Sequence, residues 1–138
     1  MKQFSKQIKI RFEHCDPAGI VFYPHYFEMF NQMIEDWFDE LVGISFQTMH
    51  QDWKLGVPLV HTETDFLKAS RIGDVLTFTL QLKKLGGKSL TFLIEATKDG
   101  ETRLRCHHVL ACVNLGDTLK GKEMPEEFRK RLEPYLAA

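Results

Sequence analysis

The stretch of sequence that decides the fold is Pro24-His25-Tyr26-Phe27-Glu28-Met29-Phe30-Asn31-Gln32-Met33-Ile34-Glu35-Asp36-Trp37-Phe38-Asp39-Glu40-Leu41-Val42. Its apolar residues recur at steps of three and four, which predicts a helix with one wide apolar face. Gly43 follows as a typical helix stop. About 19 residues at 1.5 Å each make a rod of about 28 Å, which requires a sheet to pack against. The opposite face is acidic, and we interpret it as exposed to solvent.

On both sides of this helix, apolar and polar residues alternate with the period of half-buried strands. The predicted strands cover Phe4–Phe12, Val57–Phe66, Val75–Leu85, Ser89–Thr97 and Thr102–Asn114. Gly86-Gly87 and Asp99-Gly100 lie where tight hairpin turns need positive φ, so the last three strands are predicted to form an antiparallel meander. Two further segments are predicted to be short helices, Ser45–Trp53, with Ser45 as its N-cap, and Pro125–Tyr135.

The order strand, long helix, four strands predicts an α+β fold, in which a five-stranded antiparallel sheet curls around the long helix. The chain ends in the short C-terminal helix. A chain of 138 residues buries roughly two-thirds of its unfolded surface, so we expect one domain over residues 1–138. One helix covers only one face of a sheet, so the other face or an edge is expected to join a second subunit.

Composition excludes several classes of protein. The chain has 18 basic and 19 acidic side chains and a net charge of −1, which is not the basic surface of a nucleic-acid-binding protein. It has no apolar run long enough to span a membrane, and residues 1–12 lack the apolar core of a signal peptide, so we expect a cytoplasmic protein. Three cysteines and six histidines show no zinc-site spacing, so reduced thiols and no metal are expected.

The densest cluster of polar and conformationally restricted residues lies between the first strand and the long helix, at residues 13–26. Pro17 restricts the backbone of Asp16 and so the direction of its carboxylate, and Gly19 lets the chain turn beside it. The helix that follows begins with unpaired N–H groups. A fixed carboxylate beside free N–H donors suits hydrolysis of an activated ester such as a thioester. From this spacing alone, Asp16 is also open to interpretation as a loop residue that only hydrogen-bonds nearby backbone.

The segment Cys15-Asp16-Pro17-Ala18-Gly19-Ile20-Val21-Phe22-Tyr23-Pro24-His25-Tyr26 closely resembles the signature of the 4-hydroxybenzoyl-CoA thioesterase family, the hotdog-fold acyl-CoA thioesterases. The resemblance covers most of the chain, with supporting matches at residues 57–60, 73–76 and 88–89. It implies a hotdog fold, an acyl-CoA substrate and no cofactor. It also implies a homodimer or homotetramer of hotdogs with active sites at the subunit interface.

The resemblance also implies roles for individual residues. Asp16 matches the catalytic carboxylate, either nucleophile or general base, and Tyr23 matches the residue whose backbone N–H polarises the thioester carbonyl. Some relatives that act on short aliphatic acyl-CoAs have histidine in place of Tyr23, so this chain is more similar to the aroyl-CoA branch. Asn31 stands where the family member specific for 4-hydroxybenzoyl-CoA has a carboxylate that contacts the phenol hydroxyl. Asn31 is expected either to contact the acyl group or to be a core amide. His61 is expected either to contact the acyl group or to be a half-buried structural residue.

The CoA end of the substrate is expected to meet Lys88, Ser89 and Lys120, which match or adjoin phosphate-binding positions of the family; the alternative is that they are ordinary solvated side chains. His108 shares a strand face with apolar residues and is expected in the core or an interface. These assignments predict an acyl-CoA thioesterase for a small aromatic or short-chain acyl group. A non-catalytic acyl-CoA or acyl-carrier ligand-binding module is the alternative, and a hotdog dehydratase is a third.

Overall fold

The secondary structure comes from a computed structural model that describes residues 3–116 and 119–137. The strands are β1 (Gln3–Lys9), β2 (Leu55–Gly56), β3 (Leu59–Phe66), β4 (Val75–Leu85), β5 (Ser89–Lys98), β6 (Glu101–Ala111) and β7 (Val113–Asn114). The helices are α1 (Pro24–Trp37), α2 (Phe46–Gln51) and α3 (Glu126–Leu132), with a π-helical turn at Phe38–Val42 and 3₁₀ turns at Phe12–His14 and Glu133–Tyr135.

Five strands form one antiparallel sheet in the order β1-β4-β5-β6-β3, and β2 pairs with β7 in a separate two-stranded ladder. The apolar face of α1 packs against this sheet: Trp37 lies 5.0 Å from Phe92 and Phe30 lies 6.4 Å from Phe78, measured between ring centroids. All four of these rings are buried. The predicted α+β fold, a five-stranded antiparallel sheet with one long helix and a short C-terminal helix, is therefore confirmed.

The helix boundaries follow the predicted signals. The long helix is regular to Trp37 and continues as the π-helical turn to Val42, which keeps Phe38 and Val42 buried, and it ends at Gly43 with φ 81°. Ser45 is the N-cap of α2, since its hydroxyl accepts a hydrogen bond from the Thr48 N–H at 3.1 Å. The predicted domain limits, residues 1 and 138, lie outside the described residues.

The β4–β5 hairpin differs from the prediction, because neither Gly86 nor Gly87 has positive φ. The turn is closed instead by the Gly86 N–H, which donates to the Ser89 carbonyl oxygen at 2.8 Å. The Arg129 guanidinium donates to the Gly86 carbonyl oxygen at 2.7 Å. A Cβ atom at Gly87 would lie 3.0 Å from a carboxylate oxygen of Glu123, so close approach rather than backbone conformation favours glycine there.

The other strand predictions are confirmed with shifted ends. The β5–β6 hairpin turns at Asp99-Gly100 with φ of 51° and 78°, as predicted. The first strand ends at Lys9, because Phe12 enters a 3₁₀ turn and is 84% exposed. The last predicted strand is divided, because the chain leaves the main sheet after Ala111 and pairs with β2 from Val113.

The edge strand β3 is exposed along almost its whole length, with Thr64 its one half-buried residue. Its apolar side chains Leu59, Val60 and Phe66 are 43%, 60% and 48% exposed. Within the described part of the chain, β3 pairs with β6 alone, so its outer edge presents free backbone groups. None of the described helices has the length and apolar character needed to cross a membrane.

Candidate active site

The Asp16 loop, residues 15–22, is a tight turn that fixes one carboxylate oxygen. The Asp16 N–H donates to the Ile20 carbonyl oxygen at 3.0 Å, and the Gly19 N–H donates to the Asp16 carbonyl oxygen at 2.9 Å. The Ala18 N–H donates to Oδ1 of Asp16 at 2.9 Å. No described residue donates a hydrogen bond to Oδ2, so this half-exposed carboxylate keeps one oxygen available.

The start of α1 leaves one backbone donor free. The Phe22 N–H donates to the His14 carbonyl oxygen at 2.9 Å, which ties the helix start to the other side of the loop. The N–H groups of His25 and Tyr26 are paired within the first turn, and Pro24 has none. Among residues 3–116 and 119–137, nothing accepts a hydrogen bond from the Tyr23 N–H, which therefore stands free at the positive end of the helix dipole.

Tyr23 also lines an apolar cavity of about 440 Å³ beside the helix start. One wall is aromatic, since the rings of Tyr26 and Phe66 stack with centroids 5.7 Å apart. Burial raises the pKa of the Tyr26 hydroxyl, so Tyr26 stays neutral here. The full lining is Ile20, Val21, Tyr23, Tyr26, Phe66, Lys68, Ala69 and Ser70. The free N–H of Tyr23 thus belongs to a residue that borders a cavity suited to an apolar group.

Asn31 lines a second cavity, of about 390 Å³, farther along α1. Its side chain is exposed, so the alternative that Asn31 is a buried core amide is wrong. The other lining residues are Ile34, Glu35, Phe46, Val57, Pro58, Leu59 and Leu110. Tyr23 and Asn31 are eight residues apart along α1, a separation of about 12 Å, and the two cavities that they line have no lining residue in common.

His61 lies on the exposed edge strand and lines neither cavity. Its side chain is 59% exposed and its Nε2 lies 3.2 Å from Oε1 of Glu63. The alternative of a half-buried structural histidine is therefore wrong. His108, in contrast, is 1% exposed in the core, with Nδ1 2.9 Å from the Thr62 hydroxyl, and burial lowers its pKa.

Lys88, Ser89 and Lys120 lie at one corner of the fold. The Cys112 N–H donates to the Lys88 carbonyl oxygen at 2.8 Å, and the Asn114 N–H donates to the Lys120 carbonyl oxygen at 2.9 Å, so one short segment joins both lysines. Both are exposed, and no described carboxylate forms a salt bridge with either. Ser89 is half-buried at the start of β5.

This lysine corner and the Asp16 loop lie at opposite ends of the sheet. The Ile10 N–H donates to the Asp74 carbonyl oxygen at 2.7 Å, which places the Asp16 loop near the start of β4, whereas Lys88 follows the end of β4. An 11-residue strand is about 35 Å long. A single chain therefore does not bring the predicted catalytic residues and the predicted CoA-binding residues together.

Sequence reasoning missed Phe66, Lys68, Ala69 and Ser70, which line the cavity beside Tyr23. For Lys68, Ala69 and Ser70, the one sequence signal is that they lie in an irregular segment without a clear period; Phe66 is the last residue of the predicted strand before it. Within the part of the chain that the structure describes, no three His, Cys, Asp or Glu side chains are grouped closely enough to hold a metal ion.

Comparisons with known proteins agree on one family. The model of the thioesterase-like superfamily matches residues 10–132. The chain is 27% identical over 135 residues to the 4-hydroxybenzoyl-CoA thioesterase of Pseudomonas sp. strain CBS-3, covering 92% of this chain and 95% of the relative. It is 30% identical over 133 residues to a 1,4-dihydroxy-2-naphthoyl-CoA hydrolase of Prochlorococcus marinus, covering 91% and 85%. A solved thioesterase-superfamily protein from Jannaschia sp. CCS1 superposes with a TM-score of 0.88 at 25% identity, covering 98% and 94%.

Proposed function

Because the chain belongs to the thioesterase-like superfamily, we propose that it hydrolyses an acyl-CoA thioester at the Asp16 loop. The observation that carries this proposal is the free Tyr23 N–H at the start of α1, preceded by a carboxylate with one fixed and one available oxygen. A donor for the oxyanion together with a carboxylate that acts as base or nucleophile is one arrangement that catalyses thioester hydrolysis.

In the proposed mechanism, the thioester carbonyl oxygen accepts a hydrogen bond from the Tyr23 N–H. Negative charge that develops on this oxygen is stabilised by the N–H and by the positive end of the α1 dipole. The Ala18 N–H holds Oδ1 of Asp16, which leaves Oδ2 to act. Oδ2 either attacks the carbonyl carbon and forms a mixed anhydride that water then hydrolyses, or removes a proton from the water that attacks the carbonyl carbon. On both routes the C–S bond breaks, and the products are the free acid and CoA thiol, without a metal or cofactor.

We assign the acyl group to the class of small aromatic or short-chain acids. The aromatic wall of Tyr26 and Phe66 beside Tyr23 supports an aromatic acyl group in the substrate, because edge-to-face and stacked contacts between aromatic rings are favourable in free energy. Two of the relatives are named for aromatic acyl-CoA substrates. Asn31 is assigned to the acyl end, where a neutral amide both donates and accepts hydrogen bonds.

The active unit that we propose is a homodimer joined through the β3 edge. Tyr23 borders a cavity with Phe66 at one end of β3, and Asn31 borders a cavity with Leu59 at the other end. In a twofold contact the two β3 edges run antiparallel, so the Leu59 end of one copy meets the Phe66 end of the other. This arrangement brings Asn31 of one copy towards Tyr23 and Asp16 of the other.

The same contact brings the lysine corner of one copy towards the Asp16 loop of the other, because Leu59, Leu110 and Ser89 lie at the same end of the sheet. Lys88, Ser89 and Lys120 are then placed to meet the phosphates of CoA, and His61 lies on the joined edge to contact the acyl group. On the basis of the family resemblance, we propose that two such dimers associate to form a homotetramer.

The proposal is tested by release of CoA thiol from a panel of benzoyl, hydroxybenzoyl, naphthoyl and short-chain acyl-CoA thioesters, with binding measured in parallel by calorimetry. We expect catalytic thiol release, fastest for aromatic members of the panel. Tight binding of an acyl-CoA without thiol release would show a ligand-binding module and would contradict the proposed hydrolase.

A further inference from the structure

Arg103 on β6 contacts one loop through both its side chain and its backbone carbonyl oxygen. The loop joins β3 to β4 at residues 67–74 and is called the β3–β4 loop here. Nη1 of Arg103 donates to the Ala69 carbonyl oxygen at 3.2 Å, to the Ser70 hydroxyl at 3.0 Å and to Oδ2 of Asp74 at 3.2 Å. The Arg103 carbonyl oxygen accepts hydrogen bonds from the N–H groups of Leu67 and Lys68, at 2.9 and 3.1 Å. One residue thus holds the β3–β4 loop at its start, middle and end.

The β3–β4 loop in turn holds the Asp16 loop. The Val21 N–H donates to the Ser70 carbonyl oxygen at 3.0 Å, and the Ile72 N–H donates to the Gly19 carbonyl oxygen at 3.2 Å. Ile20 and Arg71 form an isolated antiparallel bridge between these two contacts. Ser70 is fully buried and also lines the cavity beside Tyr23. Any shift of Ser70 is therefore transmitted to the Asp16 loop through Val21.

The Arg103 side chain is almost buried, and its Nε and Nη1 are both used within the fold. It is 11% exposed, and its Nε donates to Oε1 of Glu101 at 2.9 Å. The pKa of Asp74 is lowered, mainly by the hydrogen bond from the Arg71 N–H and further by Arg103. The Asp74 carboxylate therefore stays charged opposite the guanidinium at neutral pH. The contacts of Arg103 are thus internal to the fold, and all three Nη1 contacts are with the β3–β4 loop.

We propose that Arg103 is a positioning residue for thioester hydrolysis, which holds Ser70 and through it the Asp16 loop with its carboxylate. This proposal rests on the proposed function, because it requires Asp16 and Tyr23 to be the reacting groups. Their relative placement decides the rate, since a displacement of about 1 Å at a reacting group costs on the order of 100-fold in rate.

The first test compares Arg103→Met with Arg105→Met. Arg105 is a matched control on the same strand, with Nε 2.9 Å from Oε2 of Glu95, but it does not contact the β3–β4 loop. We expect Arg103→Met to lower kcat on the order of 10- to 100-fold, with KM for the acyl-CoA changed less than about threefold. Arg105→Met should change both less than about twofold. Arg103→Lys, which keeps the charge but loses the planar fork, should restore part of kcat and serves as the test variant if Arg103→Met does not fold.

The second test separates positioning from a general loss of folded protein. If Arg103 acts through Asp16, adding Arg103→Met to Asp16→Asn should lower the residual kcat by less than about threefold, because residues that act as a unit are not additive. A full multiplicative loss in the double variant would show that Arg103 acts independently of Asp16 and would overturn the proposal.

Hydrogen exchange gives a readout that needs no activity. In Arg103→Met, the Val21 and Ile72 amides should exchange at least about tenfold faster than in Arg105→Met, while core amides of β5 are unchanged. Unchanged exchange at Val21 and Ile72 would overturn the proposal whatever the kinetics. A wild-type protein that hydrolyses no acyl-CoA would instead overturn the proposed function, and exchange would still report whether Arg103 holds the loop.

Discussion

Nδ1 of the buried His108 lies 2.9 Å from the Thr62 hydroxyl, which ties the core of the sheet to its exposed edge strand. The ring stacks on Phe27 with centroids 6.2 Å apart and lies edge-on to Phe30 at 5.3 Å. Cys106 Sγ is 3.1 Å from the same Nδ1. No charged group is among these neighbours, so a proton on His108 would be poorly compensated.

This environment predicts that the protein loses stability on mild acidification. Burial lowers the pKa of His108 in the folded state, whereas the unfolded chain titrates near 6.5. The folded state therefore has its full stability, as far as His108 decides it, above about pH 6.5. This stability is lost as the pH falls below about 6.5, because the unfolded state then binds a proton that the buried His108 does not. Tm should fall between pH 7.5 and 5.5, and less steeply in His108→Asn, which keeps a polar group near Thr62. Equal slopes for both proteins would contradict this.

Gly19 should be required for activity rather than only for stability. It has φ 79°, which costs a non-glycine residue about 1 kcal/mol, and a Cβ there would meet no atom within 4 Å. Gly43 at the end of the long helix has φ 81° and equally open space, so Gly43→Ala is a control matched for strain. We expect similar losses of unfolding free energy in denaturant titrations, but a lower kcat only in Gly19→Ala. Equal kcat values would show that the turn beside Asp16 tolerates displacement.

The β3 edge should be the dimer contact. Val60 is 60% exposed on this strand, so Val60→Lys places a charge in the proposed interface. Light scattering should give a dimer or tetramer for the wild type and a monomer for Val60→Lys, with thiol release falling on the order of 100-fold as each site loses the residues of the second copy. Gln7→Lys, on the opposite edge strand β1, should remain oligomeric and active. A fully active Val60→Lys monomer would refute the shared site.

The lysine corner should act on the CoA phosphates alone. Lys88→Glu is expected to raise KM for an acyl-CoA by about tenfold, since a charge-assisted contact becomes a repulsion. KM for the matching acyl-pantetheine thioester, which lacks the nucleotide, should not change. Lys130→Glu, on α3 and 3.5 Å from Glu126, serves as a control that leaves both constants unchanged. Equal effects of Lys88→Glu on both substrates would place Lys88 away from the phosphates.

The helix and most of the sheet could be predicted because their periods are local properties of the sequence. The conformation of the Gly86-Gly87 turn could not be predicted, because it depends on the close approach of Glu123 and on a hydrogen bond from Arg129. Both residues are more than 30 positions away in the sequence. Asn31 lies on the apolar side of α1 by its sequence period, yet in the fold its side chain is exposed and lines a cavity with Leu59. Arg103 alternates with apolar neighbours like any solvent-facing strand residue, and only the folded chain shows its contacts with the β3–β4 loop.

The proposed hydrolysis depends most on the Asp16 carboxylate, and the kcat of Asp16→Asn tests that role most directly. The exchange removes the negative charge but keeps an oxygen to accept the Ala18 N–H, so the loop should be preserved. Asp52→Asn, an exposed carboxylate that follows α2, is the control. We predict that Asp16→Asn lowers kcat for the best acyl-CoA on the order of 1000-fold or more, with Tm and the Kd for CoA unchanged and Asp52→Asn fully active. An Asp16→Asn protein with kcat within a few-fold of the wild type would contradict the central claim.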